Sequence, residues 1–278
     1  MPTLSFKLVN VFAESSLGGN ALAVVEGAEG LDDATLQAVA FQFNLPETAF
    51  LLPSSVADVR IRIFTSRFEL PFAGHPTLGS AAVAAANLKR TSSITLETGS
   101  GIITVHLDGD EWKFAAPRAN TRRSDASPHD LAMMLGLEPE DIAEGSRFVD
   151  TGLEQLMIPL TSKQAVLAAS PHPVLLADCA HGKGRPQITV FHFAEPTTLR
   201  YFSADRYTLH EDHGTGSACA NLGSWLLANH TPPLPYSLRI EQGHTVNRLS
   251  VLKLDIDQNC QVFVGGRVIQ VGTGELRI

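Results

Sequence analysis

The sequence predicts an α+β fold made of two similar halves, each with a curved, mostly antiparallel sheet wrapped around one central helix. Three observations carry this prediction. Short strand-like runs occur throughout the 278 residues, and each half contains one long run of small, helix-forming residues. Two glycine-containing loops lead into these helices and repeat along the chain: Ser80 and Ser224 are 144 residues apart (224 − 80), and Gly74 and Gly216 are 142 apart (216 − 74). Coincidence is the competing explanation, because Gly-Ser-Ala helix starts are common.

The composition is that of a globular protein with no dedicated nucleic-acid surface. Apolar residues make up 44% and charged residues 18%, and the formal charge of −8 argues against a basic binding face. The cysteines are odd in number and form no CxxC pair, so a reducing cytoplasm is expected. The sequence contains no apolar run of the ~20 residues that span a bilayer and no signal peptide, so no membrane partner is expected. It lacks GxGxxG and P-loop motifs, so no dinucleotide or nucleotide cofactor is expected, and it lacks HExxH, so no metal is expected. It also lacks the GxSxG motif that would indicate a hydrolase.

The first half is assigned to residues 1–118, completed by the C-terminal strands 265–278. Alternating apolar residues separated by turn signals predict its strands. Asp32 or Asp33 can cap a helix through Phe43, where apolar residues recur at helical spacing. The predicted strands are 4–12, 21–25, 48–52, 59–64, 93–97, 101–107 and 111–115.

A glycine loop precedes the long helix of this half. Residues 71–76 read PFAGHP and predict a tight loop, with the helix expected from Leu78 onward. A helix start presents unpaired N–H groups and a partial positive charge, so it can hold a carboxylate or a phosphate. Gly74 lets a ligand approach the backbone, and His75 adds a titratable imidazole. The loop therefore predicts an anion site that carries a proton-transfer group.

The second half is assigned to residues 119–264. Residues 116–128 predict a linker, which is followed by a helix over 128–135 and a short helical segment near 138–143. A second loop, with Gly214 and Gly216, leads into a helix that runs to Ala228. Residues 267–278 are expected to form a strand pair. The predicted strands are 155–159, 188–193, 198–203, 236–242, 246–254 and 261–264.

Two carboxylates are ambiguous when each is considered alone. Glu47 precedes an apolar strand, where partial burial would suit it to acid–base work, but an exposed carboxylate at a strand edge is the simpler interpretation. Asp212 could equally be an N-terminal helix cap. Considered together with His75, they are expected to form a set of proton-transfer groups beside the two helix starts.

Four segments, in one order, carry a resemblance to a known family: NLPETAFLL, FTSRFELPFAGHPTLGSA, EDHGTGSACANL and QGHTVNR. Over essentially its whole length, the chain resembles the phenazine-biosynthesis PhzF-like isomerase family. The resemblance implies the diaminopimelate epimerase-like fold, with two pseudo-symmetric halves and an active site in the cleft between them. The repeat argument reaches the same shape independently.

The resemblance also implies roles for particular residues. Glu47 matches the family's catalytic glutamate, which is expected to abstract and return a proton. His75 and Asp212 match the histidine and aspartate that line the cleft, and they complete the catalytic set. Gly74, Gly216 and Ser217 match the loop residues whose backbone groups hold a substrate carboxylate. His213 is a departure, because the family often has proline or another small residue there, and its imidazole is expected to reach the cleft and to affect substrate choice.

The sequence departs from related enzymes at several positions. Cofactor-independent racemases and epimerases of this fold use a cysteine at each helix start, where this chain has Ala73 and His213. Cys219 lies one turn into the second helix and is expected to be a small buried residue. Asn247, before Arg248, replaces a glycine common in the family, which puts the conformation of that turn in question.

The expected function is that of a cofactor-independent isomerase acting on a small acidic metabolite, with a homodimer expected by analogy. Two alternatives stay open at this point. One is a non-catalytic protein that binds an acidic ligand on the same fold, and the other is an epimerase or racemase without the two-cysteine pair. The family's reference substrate is a dihydro-hydroxyanthranilate-type cyclohexadiene.

Overall fold

The computed structural model describes residues 3–182, 184–205 and 207–278. Met1 and Pro2, with which the assigned first half begins, lie outside the described residues. The contacts within the chain divide it into two compact units. Unit 1 is Met1–Ala115 with Gly265–Ile278, and unit 2 is Ala116–Val264.

Unit 1 combines a sheet with two helices, and its last strand begins in the final residues of unit 2. The helices are α1 (Asp33–Phe43) and α2 (Gly74–Leu88). The strands are β1 (Thr3–Val11), β2 (Asn20–Glu26), β3 (Glu47–Leu52), β4 (Val59–Phe64), β5 (Glu69–Leu70), β6 (Ser93–Thr98), β7 (Gly101–Asp108), β8 (Glu111–Ala115) and β17 (Val262–Arg277).

Unit 2 has the same kind of sheet with more helices on it. The helices are α3 (Pro128–Leu135), a 3₁₀ turn (Pro139–Asp141), α4 (Lys163–Ala168), α5 (Pro173–Cys179) and α6 (Gly216–Asn229). The strands are β9 (Asn120–Arg123), β10 (Arg147–Asp150), β11 (Glu154–Pro159), β12 (Gln187–His192), β13 (Thr197–Ala204), β14 (Leu209–Glu211), β15 (Tyr236–Gln242) and β16 (Ser250–Ile256).

The two units share one strand topology. In unit 1 the order of pairing is β1 antiparallel to β2, β2 parallel to β3, and β3 antiparallel to β4, after which β4 pairs with both β5 and β6. In unit 2, β10 to β15 repeat this pattern, with parallel pairs β11–β12 and β13–β15 at the equivalent places. Helix α2 lies between β5 and β6 along the chain, and α6 lies between β14 and β15. The predicted pseudo-symmetry is therefore present in the topology itself.

A glycine lets each central helix pack closely on its sheet. A Cβ at Gly79 of α2 would lie 2.6 Å from Leu22, and one at Gly223 of α6 would lie 2.7 Å from Val262. The two glycines are 144 residues apart (223 − 79), which is the offset of the serines that follow them. Helix α2 contacts strands β1, β2, β3, β4, β6 and β8, so the sheet surrounds it.

The remaining helices cover the outer faces of the sheets and form two further hydrophobic cores. In unit 1, Leu36 and Val39 of α1 pack with Phe50 and Phe64 of the sheet. In unit 2, α3, α4 and α5 cover the sheet through apolar residues that include Leu131. Helix α1 begins where the sequence predicted, because the Asp32 side chain accepts a hydrogen bond from the backbone N–H of Thr35 at 2.8 Å.

Three sequence-based assignments of elements are wrong. The predicted linker at residues 116–128 contains β9, which pairs with β10. The predicted strand over 246–254 begins only at Ser250, because residues 244–247 form a turn. The C-terminal residues form one continuous strand, β17, instead of a pair, since they pair with β1 along most of their length. Within the described residues, no helix is both long enough and apolar enough to cross a membrane.

Candidate active site

Glu47 is the first residue of β3 and is held half-buried. Helix α1 ends at Phe43, and the left-handed backbone of its C-cap residue Asn44 (φ 50°) turns the chain back toward the sheet. Glu47 then lies beside Leu22 in the parallel β2–β3 pair. The Glu47 side chain is 18% exposed to solvent, whereas Thr48 is 1% exposed. The carboxylate therefore stands where the buried strand meets accessible surface.

Helix α2 begins at Gly74, four residues before the predicted start at Leu78. Ala73 is the extended N-cap residue (φ −151°), and its side chain makes no capping hydrogen bond. Pro76 falls in the first turn, where its missing N–H costs no helical bond. The first turn thus directs backbone N–H groups and a partial positive charge away from the helix body, as an anion site requires.

Glu47 and His75 are brought together although 28 residues separate them (75 − 47). His75 Nε2 lies 3.3 Å from Glu47 Oε2, and the histidine side chain is only 7% exposed. The two atoms are within ion-pair distance, which places a carboxylate and an imidazole together as candidate proton-transfer groups. Because both groups adjoin the first turn of α2, a ligand anion held there would lie within reach of a proton-transfer pair.

The second helix start, in unit 2, is also preceded by a glycine-containing loop. Helix α6 begins at Gly216 with Thr215 as its extended N-cap residue. Ser217 is at the second helical position, and its Oγ accepts a hydrogen bond from Gln155 Nε2 at 2.9 Å. The small side chains at this start leave the backbone of the first turn open to close approach.

Asp212 is not the N-cap of α6, which corrects the simpler interpretation of that residue. It lies three residues before Thr215, whose hydroxyl donates to Asp212 Oδ2 at 2.5 Å. The backbone N–H of His213 donates to Asp212 Oδ1 at 2.8 Å. The His213 ring is 34% exposed, with Nδ1 3.9 Å from the same carboxylate. The structure therefore groups Asp212 and His213 with Gly216 in unit 2, and Glu47 with His75 in unit 1.

The turn at Asn247 keeps the conformation that a glycine would favour. Asn247 has φ 55°, in the left-handed region that asparagine tolerates better than most residues. The backbone N–H of Arg248 donates to the carbonyl of Gly243 at 3.1 Å and closes the loop. The replacement of glycine by asparagine therefore leaves this turn intact.

Sequence reasoning missed the contribution of Gln242, which is fully buried at the end of β15. Its side-chain amide bonds to the backbone of Asp212 and to both the backbone and the side chain of Thr215. The QG dipeptide was visible in the sequence as part of the QGHTVNR segment. Its partners lie about 30 residues earlier in the chain, so the sequence alone did not reveal the contact.

Cys219 is a buried structural residue, as predicted. Its side chain is fully buried, and burial raises the pKa of the Cys219 thiol far above its usual range. A thiol that stays protonated and inaccessible cannot serve as an acid–base group for a bound substrate. Among the described residues, no group of three His, Cys, Asp or Glu side chains converges as a metal site would require.

Comparison with known proteins agrees with the sequence motifs. The family described as phenazine biosynthesis-like protein matches residues 9–274. A Pasteurella multocida protein named as an uncharacterized isomerase is 38% identical over 275 residues, covering 98% of this chain and 93% of the relative. The trans-2,3-dihydro-3-hydroxyanthranilate isomerase of Pseudomonas aeruginosa is 32% identical over 255 residues, covering 88% of this chain and 87% of that enzyme.

A solved structure supports the fold. The Bacillus anthracis phenazine biosynthesis protein of the PhzF family matches with a TM-score of 0.87 at 23% identity, with 100% of both chains covered. The relatives named as isomerases support the isomerase class. The chain belongs to the phenazine-biosynthesis PhzF-like family, with the diaminopimelate epimerase-like fold that the four sequence segments implied.

Proposed function

We propose that the protein is a cofactor-independent isomerase that moves a proton between two carbons of a small carboxylated metabolite. The observation that carries the proposal is the Glu47–His75 pair at the start of α2, where the two side chains lie 3.3 Å apart with the histidine buried and the glutamate half-buried. This arrangement combines an acid–base group with a place for a carboxylate, which is what carbon acid chemistry on an acidic metabolite requires.

Glu47 acts as the proton carrier in this proposal. Its carboxylate removes a proton from a carbon next to a double bond or a carboxylate, and the electron pair of the broken C–H bond enters the adjacent π system. The double bond shifts, and the proton returns from Glu47 to a different carbon of the same molecule. The substrate undergoes no net oxidation, and no atom is gained or lost, so the step requires no redox partner.

His75 and the helix starts supply orientation and charge stabilisation. Imidazole contact fixes the Glu47 carboxylate, and the N–H groups of the first turn at Gly74 bind the substrate carboxylate as negative charge spreads through the substrate. A single positioned proton-transfer group contributes about 10²–10⁴-fold. Proximity and anion stabilisation must therefore supply most of the remaining rate enhancement.

The second helix start is assigned to the same reaction on the basis of the family motif. We propose that Gly216 and Ser217 bind the substrate through backbone groups. We propose that Asp212 orients the substrate or relays a proton. We also propose that His213, with its partly exposed ring, contributes to substrate choice. The trans-2,3-dihydro-3-hydroxyanthranilate named for the Pseudomonas aeruginosa relative is the first substrate to test.

The test is solvent-deuterium incorporation followed by NMR. Wild type and Glu47→Gln are compared on trans-2,3-dihydro-3-hydroxyanthranilate and on a panel of unsaturated, hydroxy and amino carboxylic acids. We expect one compound to isomerise and take up deuterium with wild type only. Glu29→Gln, at an exposed turn position, is the matched control and should behave as wild type. A positioned base contributes about 10²–10⁴-fold to the rate, so its loss should leave at most about 1% of wild-type turnover. If Glu47→Gln retains more than about 5% of wild-type turnover, Glu47 is not the proton carrier.

Ligand binding is measured in parallel, because a binding protein without catalysis would give a different pattern. A compound that raises the melting temperature of wild type and Glu47→Gln equally, with no exchange and no product in either, would refute isomerase activity for that compound. Stabilisation of both proteins with turnover in wild type alone would support the proposal.

A further inference from the structure

We infer that Thr215 and Gln242 are positioning residues that hold the Asp212 carboxylate as an oriented hydrogen-bond acceptor for the reaction. The inference rests on the proposed function, because it assigns Asp212 to the same chemistry. It goes further by naming two residues outside the catalytic set and by specifying the direction of each hydrogen bond between them.

The orientation of the Gln242 amide is forced by two backbone groups. Its Oε1 accepts from the backbone N–H of Thr215 at 2.9 Å, and its Nε2 donates to the backbone carbonyl of Asp212 at 2.9 Å. A backbone N–H can only donate and a carbonyl can only accept. Exchanging the amide oxygen and nitrogen would therefore break both bonds, so only one orientation fits.

The fixed amide in turn fixes the Thr215 hydroxyl. The second Nε2 proton of Gln242 points at Thr215 Oγ1, 2.9 Å away. The hydroxyl oxygen is thus an acceptor from Gln242, and its own proton is directed to Asp212 Oδ2 at 2.5 Å. Because the His213 backbone N–H donates to Asp212 Oδ1, both carboxylate oxygens are held as acceptors.

The position of Thr215 gives a second, independent reason. Threonine at a helix N-cap normally accepts a hydrogen bond from the second or third N–H of its own helix. Thr215 occupies the N-cap of α6, yet its side chain makes no such bond. The hydroxyl bonds to Asp212 instead, so the side chain of Thr215 orients the carboxylate and does not cap the first turn of α6.

Burial makes this arrangement rigid. Gln242 is 0% exposed and Thr215 is 8% exposed. Buried polar groups that are fully paired hold one geometry, because breaking any bond leaves an unsatisfied group away from water. Gly243 allows the end of β15 to pack closely against the backbone of His213, since a Cβ added at Gly243 would lie 2.8 Å from the His213 carbonyl oxygen.

The activity test uses a matched pair of substitutions at one position. Thr215→Val keeps the shape of the side chain and removes the hydroxyl, whereas Thr215→Ser keeps the hydroxyl. On the substrate identified with wild type, we expect Thr215→Val to lower kcat about 10- to 100-fold with a smaller change in KM, as fits the loss of a hydrogen bond to a carboxylate. Thr215→Ser should stay within about threefold of wild type, since the bond to Asp212 is kept.

A double-mutant cycle separates positioning from general structural support. In an Asp212→Asn background the carboxylate is absent, so Thr215→Val should lower kcat by less than about twofold further. The same 10- to 100-fold loss in both backgrounds would overturn the inference, because Thr215 would then act independently of Asp212. A Thr215→Val variant with wild-type kcat would overturn it as well.

An NMR measurement needs no substrate and keeps the inference testable if the proposed function fails. In wild type, both side-chain amide protons of Gln242 should exchange slowly with solvent, because both are bonded in a buried site. In Thr215→Val, the proton directed at Thr215 should exchange at least about tenfold faster, while the other stays protected. Wild-type protons that exchange as fast as a free amide would refute the arrangement. If wild type turns over none of the compounds, the proposed function is refuted. The exchange rates of the Gln242 amide protons would still test the hydrogen-bond network in that case.

Discussion

Replacing Arg200 with methionine tests the part of unit 2 that holds the strand leading to Asp212. Arg200 is 5% exposed. Its Nε and Nη2 atoms each lie 2.8 Å from a different oxygen of Glu211, the residue immediately before Asp212. Its Nη1 atom lies within 3.1 Å of three carbonyl oxygens around the end of α4, those of Val166, Leu167 and Ala169, and its two hydrogens are shared among them.

The expected loss of stability follows from what Arg200→Met leaves behind. Removing one partner of a buried ion pair typically costs about 3–5 kcal/mol, because the other charge stays buried and unpaired. The Glu211 side chain keeps 14% of its exposure and also accepts a bond from Thr245, so the lower end, about 3 kcal/mol, applies. At about 2–4 °C per kcal/mol for 150–250 residues, the melting temperature should fall by about 6–12 °C.

Differential scanning calorimetry measures this effect, and a double variant supplies the control. Arg200→Met combined with Glu211→Met removes both charges and should recover about 1–2 kcal/mol of the loss. If Arg200→Met lowers the free energy of unfolding by less than about 1 kcal/mol, or if the double variant is no more stable than the single one, the stabilising role assigned to the buried Arg200–Glu211 ion pair is contradicted.

Three further predictions concern backbone and thiol positions. Gly243→Ala should cost at least about 2 kcal/mol in urea unfolding, because φ is 90° and its Cβ would lie 2.2 Å from the Arg248 carbonyl oxygen; a change below about 0.5 kcal/mol would contradict this close contact. Gly79→Ala should cost about 1–3 kcal/mol, since the added Cβ would lie 2.6 Å from a leucine methyl of β2; a neutral or stabilised variant would show that this packing can relax. Iodoacetamide at pH 8 should label exposed Cys260 in the native protein and reach Cys219 only after unfolding, because burial raises the pKa of the Cys219 thiol. Peptide mass spectrometry would contradict the last prediction if both cysteines were labelled at similar rates.

Local signals in the sequence were strong enough to predict many of the elements. Asp32, a residue type that favours helix N-caps, caps α1 as predicted. The helix predicted over residues 128–135 has the bounds Pro128–Leu135 in the structure. Ser127 and Asp130 form a capping box there, a pattern that depends only on neighbouring residues. Such elements are predictable because their start and end signals lie within a few residues of each other.

Elements without such signals were missed. Helices α4 and α5 have six and seven residues, too few for a clear helical period. Strand β9 lies in a polar stretch, NTRR, that reads as linker until its partner β10 is known. The left-handed backbone of Asn247 is likewise set by the surrounding turn. In each case the deciding contacts come from distant parts of the chain.

In the candidate site, too, some features follow from neighbouring residues and others depend on contacts between distant parts of the chain. Gly74 and His75 belong to one loop, and their chemistry could be read from adjacent residues. The contact between His75 and Glu47 joins two elements 28 residues apart (75 − 47), so neighbouring residues could not reveal it. Gln242 carried no sequence signal of its partnership with Thr215, because an amide can pair with any nearby polar group.

The most direct test of the central claim is deuterium exchange into substrate by wild type, Glu47→Gln and Glu29→Gln under identical conditions. Proton transfer by Glu47 predicts isomerised, deuterium-labelled product with wild type and Glu29→Gln, and none above background with Glu47→Gln. Equal exchange in all three proteins would contradict the assignment of Glu47 as the proton carrier.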